Sequence, residues 1–246
     1  MRVALYNQMF GLNGQSLSAN IIGHWAVHYQ KRPERIYKRM GLHNTAGIIG
    51  ITDSEIAGIC EILEGQENEL KKLLSELGYN YIFFGEGHKT KKSKLGVKVA
   101  IASKLDCRQK DIDGFPVENV LGGGGGIAHC FFPNLKLDVL CVHLANPKRK
   151  RTLFNEQMQF LQDRISLLKN KVIVMGDFNT SWGNLVDYFP EFSLASNGIK
   201  TCSVTPVFKM LKYKDLDHIF VKGFDVSCTE SLEGSSDHKL IYTDLK

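Results

Sequence analysis

Nine short apolar runs punctuate this chain and constrain its class more than any other feature. They fall at residues 3–6, 56–60, 81–84, 96–102, 127–132, 137–142, 172–175, 216–221 and 240–242. Each is three to seven residues long and rich in Val, Ile, Leu, Phe or Tyr, the signature of a strand. Helical patterns separate only some of them. Residues 68–77 place Leu70, Leu73, Leu74 and Leu77 on one face, and Gly78 supplies a stop. Asn146-Pro147 predicts a helix start, followed by a stripe of Phe154, Met158, Leu161, Ile165 and Leu168. Strands outnumber helices and several are hairpin neighbours, so a plain alternating βαβ sheet is not expected. Two packed sheets with helices outside them fit better. With 246 residues, 43% of them hydrophobic, one domain over 1–246 has ample core. Residues 11–50 form an insert-like connection between the first two strands and are expected to hold one or two helices. The five glycines at 122–126 read as a mobile loop or as a place where the backbone approaches a ligand closely, with a flexible hairpin tip as the plainer reading.

Residues 171–175 (KVIVM) read as a buried strand, and it ends in Gly176-Asp177-Phe178-Asn179. Side chains alternate along a strand, so Asp177 and Asn179 are expected on one side. A carboxylate and a carboxamide aimed at one spot suit a phosphate or a metal-bound water, whereas an Asx turn is the plain structural reading. Other strand ends carry similar groups: Asn7 after the first run, Glu61 after the second, His143 after 137–142, Asp217 at the head of 216–221, and Asp237-His238 before the last run. A buried Asp, Glu or His needs a partner or a metal to offset desolvation. So many at strand termini predict one shared cleft.

These residues in this order, with GDFN, DHIFV and SDH as the most specific pieces, resemble the endonuclease/exonuclease/phosphatase superfamily. The resemblance runs from residue 3 to 241. It implies a DNase I-like four-layer α/β sandwich: two packed mixed β-sheets flanked by helices, with the site at one end of the paired sheets. It further implies Glu61 as the main ligand of Mg²⁺ (or Mn²⁺), Asn7 as a second contact to metal or phosphate, and Asp237 as a direct or water-mediated metal contact. Asp177 would orient or deprotonate the attacking water and Asn179 would hold a phosphate oxygen. His238 would sit against the scissile phosphate, oriented by Asp217, and His143 would stabilise charge or assist the leaving group. The family does not settle which group is the base. Cys60 stands where the family usually has Gln, removing a supporting hydrogen bond, and Glu55 where an Asp often begins the strand. Glu86 is a loosely drawn partner for His143. The His143-Leu144 pair resembles the DNase I-like, sphingomyelinase-like and deadenylase-like branches more than abasic-site repair enzymes.

Net charge is +5, and 13 of the 31 basic residues lie in three clusters at 31–39, 89–94 and 148–151. Such clusters suit a polyanion. Lys148, Arg149, Lys150 and Arg151, just after His143, are the candidate substrate-binding set. A nuclease of low sequence specificity acting on DNA or RNA is therefore expected. The alternative is a phosphodiesterase or phosphatase for a lipid or phosphoinositide headgroup, with Trp25, Tyr29 and the 31–39 cluster meeting an anionic lipid surface. A non-catalytic binding module is the remote third reading. No run of about 18 apolar residues predicts a membrane span. The N-terminal residues read as a strand, not a leader. The six scattered cysteines, without a CxxC pair, read as reduced core residues of a cytoplasmic protein.

Overall fold

The structure, a computed structural model, describes residues 1–11, 27, 29, 41–90, 92, 94–120, 122–203 and 213–246. In chain order the described elements are β1 (Arg2–Asn7), α1 (Leu42–Thr52), β2 (Ile56–Leu63), α2 (Glu67–Ser75), β3 (Tyr81–Lys89), β4 (Gly96–Ser103), β5 (Arg108–Gln109), β6 (Gly126–Phe132) and β7 (Leu137–His143). They continue with α3 (Arg151–Ser166), β8 (Lys171–Asp177), β9 (Ser193–Leu194), β10 (Cys202–Ser203), β11 (Tyr213–Lys214), β12 (Asp217–Lys222), β13 (Val226–Leu232) and β14 (Leu240–Leu245). Two six-stranded sheets result, ordered β13-β14-β1-β2-β4-β3 and β5-β6-β7-β8-β12-β9. Both are mixed, with β1–β2 and β7–β8 parallel.

Strand periodicity builds the layers. In β8, Ile173 and Met175 enter the core between the sheets, while Val172 and Val174 pack outward beneath Phe154, Met158 and Leu161 of α3. Both faces are covered from Val172 to Met175, so those four positions contain no polar residue. In β1, Val3 and Leu5 point inward and Ala4 and Tyr6 outward, against Leu42 and Ile49 of α1 and Leu70 and Leu74 of α2. The order helix, sheet, sheet, helix is the expected four-layer sandwich. No helix among the described residues is long and apolar enough to cross a membrane. None of the six cysteines is in a disulfide, and all except Cys228 are buried.

Four local expectations change. The third helix starts at Arg151, because the Asn146 side chain accepts from Lys148 N (3.0 Å) and closes a separate turn first. The glycine run is not a flexible tip: Gly123 to Gly126 are buried, and Gly125 and Gly126 lie against the backbone of β3. Glu86 is exposed and pairs with Lys98 (2.6 Å), not with His143. β13 had no counterpart among the apolar runs, because an edge strand exposed along most of its length needs no apolar face. Within the insert-like segment, α1 covers 42–52. Trp25, the 31–39 cluster and most of 12–40 lie outside the described residues.

Candidate active site

The sheet topology gathers the polar strand ends. β1, β2, β7 and β8 reach the same end of the sandwich, and antiparallel β12 starts there. His143, Asp177 and Asp217 consequently form one row across the second sheet, His143 opposite Asp177 and Asp177 opposite Asp217. On the first sheet, Asn7 lies opposite Cys60.

Glu61 does not end its strand. It sits inside β2 at a bulge where the register with β4 slips between Ile59 and Ile62, and its φ is 58°. A bulge re-aims a side chain, and here it turns the carboxylate into the cleft. A left-handed backbone costs a non-glycine residue about 1–2 kcal/mol, so something must hold it. Gln8 Nε2 donates to Glu61 O (3.4 Å) and to Gln66 Oε1 (3.3 Å), which also accepts from Leu63 N (2.9 Å). Thr45 of α1 donates to Gln8 Oε1 (3.0 Å). This buried amide pair carries the support that Cys60 cannot give, since the Cys60 thiol instead donates to Val142 O across the sandwich (3.3 Å). The bracing by Gln8 and Gln66 had no sequence signal, because their meeting with Glu61 is set by the β1–β2 register.

Asp177 is the hub. Its Oδ2 accepts from Asn7 Nδ2 (2.9 Å) and its Oδ1 from Asn179 N (2.7 Å). The second bond is an Asx turn, with Asn179 at φ 54°, so the turn and the convergence of Asp177 with Asn179 coexist. Asn7 Oδ1 accepts from Met9 N (3.0 Å), so Asn7 enters the site chiefly through its donor end. Asn179 Nδ2 donates to Leu144 O (3.0 Å), and Asn146 Nδ2 donates to Asn179 Oδ1 (3.4 Å). His143 Nε2 stands 3.7 Å from Glu61 Oε1 and 3.8 Å from Asp177 Oδ2. Gly125 is packed so tightly on the His143 ring that a Cβ there would lie 2.6 Å from Nδ1. His238 Nδ1 bonds Asp217 Oδ2 (2.6 Å), leaving Nε2 4.0 Å from Asp177 Oδ2 and 3.9 Å from Asp237 Oδ1.

The electrostatics follow from burial. Burial, then the neighbouring Asp237 charge, pushes the Glu61 carboxyl up to about 8. Burial, then Asp217, pushes Asp177 up to about 7. Burial, then His88 and His238, drops His143 to about 3, so its imidazole is neutral in the working range. Burial opposes charge on His238, yet Asp217 first, with Cys202 and Asp237, holds it well above the ordinary histidine value.

A divalent cation fits this donor set. Glu61 Oε2 is buried without a hydrogen-bond partner among the described residues. Glu61, His143 and Asp177 offer ligand atoms within 4.8 Å of one another, and so do Asp177, Asp217 and His238. A carboxyl raised in the folded state stabilises below its unfolded pKa, and that contribution is lost as pH rises through the folded value. Metal-stripped protein should therefore lose thermal stability progressively as pH climbs from about 4, the unfolded carboxylate value, and level off above about 7 to about 8, where folded Asp177 and Glu61 have ionised, and a divalent cation should restore it. Melting curves with EDTA and with Mg²⁺ across that range test this. A metal-free melting temperature that stays flat or rises there removes the assignment.

The cleft has a volume of about 330 Å³ and is lined by Glu61, Asp177, Asn179, Asp237 and His238, joined by Asn146, Arg149, Cys202 and Lys214. Of the four candidate substrate-binding cations, Arg149 alone lines this cleft. Lys148 and Arg151 are exposed beyond it, and Lys150 is tied to Glu118 (2.8 Å). Asn146, Cys202 and Lys214 escaped the sequence reading. Asn146 was legible only as a cap, though it follows His143 by three residues, and nothing local marks Cys202 or Lys214. A larger cavity of about 540 Å³ beside α3 holds no such constellation, so the chemistry locates the site and the volume does not.

A sequence model of the Endonuclease/Exonuclease/phosphatase family matches residues 16–238. The chain belongs to this family. Solved structures agree on the fold. An endonuclease/exonuclease/phosphatase from Beutenbergia cavernae DSM 12333 superposes with a TM-score of 0.76 at 15% identity, covering 100% of this chain and 71% of that one. A humanized D. rerio TDP2 gives 0.68 at 14% identity, covering 100% and 98%. A mannosyl-6-phosphatase from Bacteroides thetaiotaomicron VPI-5482 gives 0.63 at 16% identity, covering 100% and 99%. Comparison with curated protein sequences gives no match. As a member of the endonuclease/exonuclease/phosphatase family, the chain is a metal-dependent hydrolase of phosphate ester bonds.

Proposed function

We propose that this enzyme is a Mg²⁺-dependent phosphodiester hydrolase, a nuclease of low sequence specificity acting by in-line attack of water. The observation that carries the reading is the placement of Arg149 and Lys214 on the wall of the cleft, with Lys148 and Arg151, close to Arg149 in the chain, exposed to solvent. Cations that continue outward from a phosphate site suit a substrate that continues too, and a phosphate backbone does. Residues 1–246 act in this reading as one domain, with 11–50 as its atypical insert.

Glu61, with Asp237 in support, holds the cation, which supplies charge neutralisation on the phosphate; an all-oxygen donor set suits Mg²⁺, with Mn²⁺ able to substitute. Neutral His143 and the amide of Asn179 offer N–H donors to the non-bridging oxygens. Asp177, steadied by Asn7 and by Asn179 N, takes the proton of the attacking water. His238, kept cationic by Asp217, stabilises the developing charge and protonates the leaving oxygen. Asn7 positions Asp177.

Purified protein should nick plasmid DNA with Mg²⁺ or Mn²⁺, lose the activity in EDTA, and lose it in His238→Ala. Single-stranded DNA, RNA, sphingomyelin, a phosphoinositide and a sugar phosphate complete the panel. Nucleic acid left intact while the lipid is cleaved moves the function to a headgroup phosphodiesterase. A small phosphomonoester is the reading favoured by the mannosyl-6-phosphatase neighbour and by a cleft of about 330 Å³, and it wins if only the sugar phosphate releases phosphate. Binding of substrate without any hydrolysis leaves the binding-module reading.

Arg149→Ala and Lys214→Ala should raise KM on DNA with little change in kcat. Each should lower the slope of log KM against log salt by about one. An unchanged salt dependence in both variants sinks the backbone track.

A further inference from the structure

One cleft residue beside His238, Cys202, neither contacts the phosphate nor holds the oxygen-site cation in this reading. Cys202 of β10 bridges His238 in antiparallel fashion, an arrangement extended by Lys239 N donating to Thr201 O (2.7 Å). Residues directly opposite in such a pair present their side chains on one face, with Cβ atoms about 5 Å apart. The Cys202 sulfur, an Asp237 carboxylate oxygen and a His238 ring nitrogen accordingly lie within 4.8 Å of one another. All three residues line the cleft, so a solute can reach them. His238 is already set as a ligand. Its Nδ1 is bonded to Asp217 at 2.6 Å and its Nε2 is turned toward Asp237 at 3.9 Å. A histidine whose far nitrogen is held by a carboxylate is the usual state of a metal-binding imidazole.

Sulfur, nitrogen and oxygen together are not a magnesium donor set. Mg²⁺ takes oxygen in an octahedron and keeps its waters. Zn²⁺ takes cysteine, histidine and carboxylate in a tetrahedron, with bonds of about 2.0–2.3 Å. We propose that Cys202, Asp237 and His238 form a second cation site, thiophilic and sharing only Asp237 with the oxygen site around Glu61, which binds Zn²⁺ and thereby inhibits the enzyme. On binding, the Cys202 thiol and the Nε2 of the His238 imidazolium each give a proton to solvent, and the freed sulfur and nitrogen lone pairs form the bonds to zinc; nothing is oxidised or reduced. The fourth position stays open to water. Inhibition follows because the bound Zn²⁺ captures the imidazole and also draws Asp237 away from the oxygen site. That consequence rests on the role given to His238 above, whereas the binding itself does not.

Two readouts separate the parts. Co²⁺ titrated into metal-stripped protein should give a sulfur-to-cobalt charge-transfer band, and Zn²⁺ should abolish it. Cys202→Ser and Cys202→Ala should lack the band and bind Zn²⁺ at least about a hundredfold more weakly, the upper end of what losing even an outer-sphere partner costs. Cys228→Ser, which alters the exposed cysteine, should retain the band. Circular dichroism establishes that each variant is folded. With Mg²⁺ saturating, Zn²⁺ should suppress hydrolysis in the wild type, and the ratio of rates with and without Zn²⁺ should recover in the Cys202 variants. Absence of the band in the wild type, or its survival in both Cys202 variants, overturns the site. A band that behaves as expected, with Zn²⁺ inhibition equal in all variants, overturns the inhibitory link. A protein that gives the band but hydrolyses nothing on the panel fails the functional reading and leaves the site standing.

Discussion

Asp177→Asn should lower turnover by about three orders of magnitude or more and leave the fold intact. The side chain keeps its shape but loses both the charge and the ability to accept a proton. It also inherits a conflict. Asp177 presents acceptors to two donors, Asn7 Nδ2 and Asn179 N. A carboxamide satisfies only one of them and turns an N–H against the other. Folding stability should change little, because the buried carboxyl carries a desolvation penalty that raises it to about 7. Single-turnover rates at saturating Mg²⁺, together with a melting curve, decide the matter. Activity within tenfold of wild type would remove Asp177 from the chemistry.

Gly126→Ala should be among the most damaging single methyls in the molecule. Gly126 has φ +99°, and a Cβ built there lies 2.0 Å from Glu86 O and 2.5 Å from Glu86 C. Both atoms are backbone, so no rotamer change relieves the clash, and β3 and β6 must part. Left-handed strain of about 1–2 kcal/mol adds to overpacking of about 1–3 kcal/mol, against a total stability of about 5–15 kcal/mol. The damage also reaches the site, because Gly126 is the register partner of His143. The expected result is a fall in melting temperature of many degrees with loss of activity, or failure to accumulate folded protein. Gly47→Ala is the internal control. It lies in α1 with nothing within 4 Å of its Cβ and should be neutral or stabilising by up to about 1 kcal/mol. Equal melting temperatures for the two variants would show that the glycine run is not packed against β3.

The amino-acid order by itself determined the strands whose apolar side chains repeat at the period of a sheet, as in 171–175, and the helix that carries Leu70 and Leu74 on its buried face, which the structure ends at Ser75, short of Leu77. It also determined which chemical groups stand at or near strand ends, from Asn7, His143 and Asp177 to Asp237 and His238. These signals survive translation into sequence because they are local: alternation, a stop residue, an acid next to an apolar run. Tertiary structure alone decided the rest. The left-handed bulge at Glu61 exists because the β2–β4 register slips there while Gln8 and Gln66 hold the backbone, and no short window contains all of these residues. The glycine run, flexible on its composition, is packed because β3 approaches it from the other sheet. The Asp217–His238 pair and the Cys202–His238 bridge are products of strand placement around the second sheet and its neighbour, as is the placement of Lys214 on the cleft wall. Periodicity specifies which face of an element is buried. Which residues meet across that face depends on register and on backbone approach between distant segments, as with Asn7 and Asp177, 170 residues apart.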